Sequence, residues 1–364
     1  MDRVSAARDV GIALVTQQSS PEGEIRTQVD ELLHHYHLDD ATQWSRYEPS
    51  GIAWGLANVC GRIEETIAGS RPESSWTLGS LPVVGTLATA QPGVQVQVAP
   101  DDEVPPIDHP VIAIENGAFT FASQLAQVGG LCLVADNPMW AFGASNSAAA
   151  QIVCDIAALQ AIGDTSLDVS ARAVPAAHHD VTLIDAIRDA ILTFILSHEY
   201  GHLLHGDLES HRIGSDGSED PAAEYDADAI GAQITRRVMG GSMKLPIAAV
   251  LGPVLFFAGI DIRRRVNELF EPSVVGADPP AEDRKNRIIE SFRSDEQLLS
   301  YADQADSVYQ RVMDLWDRVE PAVRSKQTEL QHIRTMYDDE NSDRFVLRIF
   351  AMRELWACYT QLPV

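Results

Sequence analysis

Residues 180–207 read DVTLIDAIRDAILTFILSHEYGHLLHGD, and the period of this stretch decides what can be built around it. Leu183, Ile184, Ile187, Ile191, Phe194 and Ile195 recur at helical spacing, so the segment is expected to be one helix with a buried side. Gly206 is placed to end it. On that helix His198 and His202 lie one turn apart, about 40° from each other around the axis, so both imidazoles can reach one ion. Glu199 sits beside their face, within reach of a proton on whatever the ion holds.

A catalytic tetrahedral site takes three protein ligands and keeps one position open. Were the third ligand supplied as Gly-x-x-His directly downstream, position 205 would be Gly and position 208 His; they are His205 and Leu208. The next source is a second helical pattern at 222–234, AAEYDADAIGAQI, in which Glu224 and Asp228 stand at i and i+4 on one face. Glu224 is the candidate third ligand. Asp228 is placed to accept a hydrogen bond from the second nitrogen of a ligand histidine, and Ala227, with almost no side chain, lets the two helices approach closely. Tyr200 is expected to point away from the metal face and pack. His205 is read as a helix-end histidine that suits the dipole.

These residues resemble the gluzincin peptidases, the clan of the prenyl-protein endopeptidases and HtpX-type membrane proteases with soluble Lit-like and ImmA-like relatives. His198-Glu199-x-x-His202 followed by Glu224-x-x-Ala227-Asp228 carries the likeness. ADPPAEDRKNRI (277–288) adds Pro279, Pro280 and Arg284 of a His-Pro-Pro-x-x-x-Arg signature, with Asp278 where the family has His. HPVIAIENGAFTFASQLA (109–126) is similar to the strand and helix that precede the family's metal helix. The resemblance spans about residues 106–290. It implies a zinc-dependent endopeptidase with one Zn2+ on His198, His202 and Glu224, Glu199 as general base, a polypeptide substrate, and a regulatory or phage-defence role. Arg284, Tyr225 and His211 stay open as donors to the oxyanion or as electrostatic groups. Two other classes stand beside it: a metal-dependent hydrolase of a non-peptide bond, and a metal-independent binding or scaffold protein.

Residues 245–260, LPIAAVLGPVLFFAGI, are shorter than the roughly 20 apolar residues of a membrane span and contain Pro246 and Pro253. A buried helix is expected, and no membrane span. Residues 1–15 carry an acid at position 2 and make a poor export signal, and Cys60, Cys132, Cys154 and Cys358 are scattered without paired spacing. Both point to a reducing, cytoplasmic setting. The net charge of -26, with three lysines against 24 arginines, disfavours binding to nucleic acid and would draw basic or unfolded polypeptide.

With 45% hydrophobic residues in 364, the chain can bury a sizeable core. The expected fold class is α+β and mostly helical: a zincin-like metallopeptidase core with a small β-sheet, followed by a C-terminal helical region. Three units are expected, an N-terminal mixed region at 1–105, the peptidase-like domain at 106–290 and helices at 291–364. In the first, residues 24–38 form an amphipathic helix with His34, His35 and His37 on a solvated face. WTLGSLPVVGTLATAQPGVQVQVAP (76–100) promises strands, and APDDEVPPIDHP (99–110) a linker. VIAIENGAFTFA (111–122) is expected as a strand pair turning at Asn116-Gly117, with an edge that a substrate chain could join. DLESHRIGSDGSEDPAA (207–223) is either a lid or a simple connection. Heptad spacing from Leu298 to Val319 and from Tyr301 to Ala322, ended by Pro321, predicts a helical hairpin with 323–337. The last helix, 344–359, carries an apolar stripe for packing on the body or on a second subunit in a homo-oligomer.

Overall fold

The computed structural model describes residues 50–70, 82–87, 94–97, 111–135, 144–163, 181–206, 221–240, 246–270, 279–337 and 344–361. The 24–38 helix, the 99–110 linker, His211 with residues 207–220, and Asp278 lie outside the described residues.

In chain order the described elements are α1 (Ser50–Ala68), β1 (Val83–Leu87), β2 (Val94–Gln97), β3 (Val111–Glu115), α2 (Asn116–Ala135), α3 (Ala144–Ala161), α4 (Val181–His205), α5 (Pro221–Gly240), α6 (Pro246–Phe270), α7 (Ala281–Arg293), α8 (Leu299–Ser325), α9 (Gln327–Tyr337) and α10 (Arg344–Tyr359). The α+β class is therefore corrected to a helical one. Among the described residues, β structure amounts to three strands of 5, 4 and 5 residues, too little for a sheet layer.

The hairpin expected at 111–122 is also corrected: β3 ends at Glu115 and α2 starts at Asn116. The reason is in the period. Ala118, Phe121, Ala122 and Leu125 stand at i, i+3, i+4 and i+7, and all are buried. A turn at Asn116-Gly117 would have turned that stripe out of the core. β3 lies between β1, which it pairs in parallel from Val83↔Val111 to Leu87↔Glu115, and β2, which it pairs antiparallel from Val94↔Ile114 to Gln97↔Val111. Both edges of β3 are thus taken, and it cannot accept a further strand.

The metal-motif helix α4 runs through the middle. Between Ala190 and His202 every residue is buried, as a helix enclosed on all sides requires. It ends at Gly206, whose φ of +71° needs a residue without Cβ. α6 lies along one flank, with Gly252 against the backbone of Ala190 and Ile191. By length and composition α6 is the one helix among the described residues able to cross a membrane, and most of it is buried inside the fold. α5 lies along another flank.

Further out, α8 carries Val308, Val312, Leu315, Trp316 and Val319 into the same apolar cluster as α2, α3, α4 and α6, and α9 and α10 join it through Leu330, Ile333, Ala351 and Leu355. Pro321 does not end α8, which continues to Ser325; Lys326 then leaves helical geometry before α9. A proline costs the helix one N–H bond, and here Ala322 and Val323 beyond it are fully buried and hold the last turn. On α10 Leu347, Ala351, Met352 and Leu355 face the body, while Ile349 and Phe350 are exposed.

α7 is locked to α8 by charge. Lys285 is buried, with Nζ 2.8 Å from Asp306 Oδ1 and 4.5 Å from the Tyr309 ring centroid. Arg293 reaches Asp303 at 3.0 Å and Asp306 at 3.2 Å. Pro280 precedes α7, and Glu282 and Asp283 in its first turn suit the dipole. This clamp delivers Arg284, one residue before Lys285, to α5.

Candidate metal centre

The crossing of α4 and α5 is close because small residues meet there. A Cβ on Gly201 would stand 2.8 Å from the carbonyl oxygen of Ala227, and one on Gly231 would stand 3.0 Å from the backbone nitrogen of His198. Ala227 plays the part expected of it. Gly201 and Gly231 were not singled out in the sequence, although Ala223, Ala227 and Gly231 form a readable stripe of small residues at every fourth position.

At this crossing His198, His202 and Glu224 are brought together, all buried, with one donor atom from each within 4.8 Å of the others. The group can hold a metal ion. His198 Nε2 is 3.2 Å from His202 Nε2; Glu224 Oε1 is 3.2 Å from His202 Nε2, and Glu224 Oε2 is 3.6 Å from His198 Nε2. His198 Nδ1 faces away from the cluster, 3.0 Å from Asp228 Oδ1, as the i,i+4 spacing of Glu224 and Asp228 suggested. The two atoms stand at ion-pair distance, in a buried setting where their interaction is little screened.

Arg284 completes the cluster from α7. Its Nε and a terminal nitrogen donate to the two oxygens of Asp228 at 2.7 Å each, and the same nitrogen stands 2.7 Å from Glu224 Oε2. Its guanidinium also lies 5.2 Å from the ring centroid of Phe257. Burial pushes Asp228 up, but the hydrogen bonds and charge of Arg284, with His198 added, outweigh it and hold the carboxyl below its usual range. Glu199, buried next to both histidines, is pushed the other way. Desolvation raises its pKa, only partly opposed by His198 and His202. Among the described residues Arg284 is thus the cation that faces the carboxyl groups of Glu224, Asp228 and Glu199, a balance that favours an additional positive charge.

Tyr200 points away from the cluster, as expected, and is fully buried. Its hydroxyl donates to Glu64 Oε1 on α1 at 2.8 Å, so the N-terminal helix braces the back of the metal-motif helix. No local pattern in the sequence signals this contact across 136 residues. His205 stays outside the cluster, half-exposed, with Nε2 3.4 Å from Asp226 Oδ2. Tyr225 is partly exposed, and Arg287 lies over its ring.

No family model, no curated protein and no solved structure matches this chain. Its functional reading rests on the site.

Proposed function

We propose that this protein is a zinc-dependent endopeptidase of the gluzincin kind. The observation that carries the reading is the buried triangle of His198, His202 and Glu224, with Glu199 beside it. Zinc bonds of about 2.0–2.1 Å at tetrahedral angles set neighbouring ligand atoms about 3.3–3.4 Å apart. The two histidine nitrogens here stand 3.2 Å apart, and each has one of the two Glu224 oxygens close by, Oε1 at 3.2 Å from His202 and Oε2 at 3.6 Å from His198. Two nitrogens and one carboxylate oxygen are also the donor set that suits zinc over calcium or magnesium.

Bound there, zinc supplies Lewis acidity at neutral pH. The protein's own groups do the rest. Glu199, with its raised proton affinity, accepts a proton from the attacking water and returns it to the leaving amine. Asp228 holds the Nδ1 side of His198 and so leaves Nε2 to the ligand cluster. Arg284 orients Glu224 and Asp228 together. Because its Nε and a terminal nitrogen are committed to them, its role in this reading is to position the ligands. Among the described residues Tyr225 then remains the candidate oxyanion donor.

Elemental analysis of protein purified without added zinc tests this. The expected result is about one zinc per chain in the wild type and in Glu199→Gln, and loss of zinc in His202→Ala and Glu224→Ala. Glu199→Gln is expected to abolish peptide hydrolysis. Metal retained without Glu224, or none in the wild type, overturns the assignment and favours a scaffold protein.

A further inference from the structure

Arg287 is exposed on α7, one turn beyond Arg284. Its own helix offers two carboxylates at pairing distance in sequence, Asp283 at i−4 and Glu290 at i+3. Elsewhere this chain uses such spacings: Arg188 pairs with Asp185, Arg264 with Glu268, Arg324 with Glu320, and Arg293 takes Glu290 itself. Arg287 forms no ion pair with a carboxylate among the described residues. Its guanidinium carbon stands instead 3.7 Å from the centroid of the Tyr225 ring.

Tyr225 follows Glu224 directly in the chain, and Arg287 stands one turn beyond Arg284, whose guanidinium is 2.7 Å from Glu224, so the stacked pair lies on the two helices that bear residues of the proposed metal centre. A guanidinium stacked on an aromatic face has surrendered most of its rotamer freedom, while its N–H edge keeps the forked geometry that matches a carboxylate. The cost of ordering it for a ligand is therefore met before the ligand arrives.

We infer that Arg287, held on Tyr225 beside Glu224, receives a carboxylate of the substrate, so that the peptide cleaved carries an acidic side chain or its free C-terminus near the scissile bond. This rests on the peptidase reading above. The net charge of -26 works against anionic peptides at long range. That field is screened beyond about 8 Å at physiological ionic strength, which leaves selection to the local contact.

The test starts from zinc-loaded full-length protein and a proteome-derived peptide library read by mass spectrometry. Cleaved sequences are resynthesised with Glu, Gln or Lys at each flanking position and with free or amidated C-termini. In the wild type, kcat/KM is expected to favour the carboxylate-bearing peptide by about five- to tenfold, the scale of one charge-assisted contact at a partly exposed site. The ratio should fall to about one in Arg287→Ala and invert towards Lys in Arg287→Glu, with zinc content retained in both. Dependence on Glu against Gln identifies a side-chain carboxylate, and dependence on amidation a terminal one. A wild type without preference, or a preference that survives Arg287→Ala, overturns the inference and leaves the peptidase reading intact. A zinc-loaded wild type that cleaves no peptide overturns both.

Discussion

α4 meets α5 and α6 in two different ways. Against α5 the contact is made by Gly201, Ala227 and Gly231, and the space that these residues leave is occupied by His198, His202, Glu224 and Asp228. Against α6 the contact is apolar. Phe194 packs edge-on against Phe256 and Phe257 at 5.5 and 5.6 Å between centroids, and Gly252 sits on the backbone of Ala190. The first seam buries charge, which costs free energy unless every group is paired. The second buries carbon and gains free energy in proportion to the area removed from water. A single helix can host a costly polar seam because its other flank is anchored in the apolar core.

If that division is right, damage to the apolar side should cost stability and leave the site's chemistry in place. Trp316 is fully buried in the core that encloses the α6 flank. Trp316→Ala is expected to lower unfolding free energy by about 3–5 kcal/mol in urea denaturation. The folded fraction should still bind one zinc; loss of zinc without loss of stability would break the comparison.

Damage to the polar seam should do the reverse. In Gly201→Val the added carbons collide with the backbone of Ala227, so α4 and α5 must separate. The expected cost is about 1–3 kcal/mol, together with loss of zinc by elemental analysis. A variant that keeps its zinc would mean that the close approach is not what assembles the ligands.

The smallest expected effect concerns pH, and it separates the seams by sign. On the apolar side, desolvation pushes the Cys132 thiol up to about 12, partly opposed by Arg311. Its stabilising contribution is complete below the unfolded thiol value of about 8.5 and is lost as pH rises from there towards 12. The unfolding free energy from urea denaturation should fall between pH 8 and 10, by no more than about 1.4 kcal/mol per pH unit from this thiol, and Cys132→Ala should flatten the slope. On the polar side the sign is opposite. Asp228 is held low, so its contribution is present above the unfolded carboxyl value of about 3.9 and is lost as pH falls.

The two seams also differ in how far they could be read from the chain. The ligands were legible because helical period is local: His198 with His202, and Glu224 with Asp228, are each set by a spacing of four. Gly206 as a stop is equally local. The class was misjudged where one apolar run satisfied two periods. Val111–Glu115 does form a strand, but the stripe from Ala118 to Leu125 belongs to a helix that begins one residue later. Pro321 was misjudged for the opposite reason, since burial of the residues beyond it outweighs a local rule. The run at 245–260 was read as a buried helix, and most of α6 is buried, although the helix extends beyond that run to Phe270 and is longer than the run suggested.

What the sequence determined alone is thus the content of each helix: which residues share a face, where two imidazoles and a carboxylate can point the same way, and where a helix stops. Helical geometry repeats every few residues and needs no partner to be read. What only the tertiary structure decided is which faces meet. Arg284 reaches Asp228 across 56 residues and Tyr200 reaches Glu64 across 136, and both contacts depend on packing that no short-range pattern encodes. Arg287 likewise passes over the carboxylates of its own helix for a tyrosine on another. Those choices are made by the whole core at once, because the position of each helix is fixed only when its neighbours are in place.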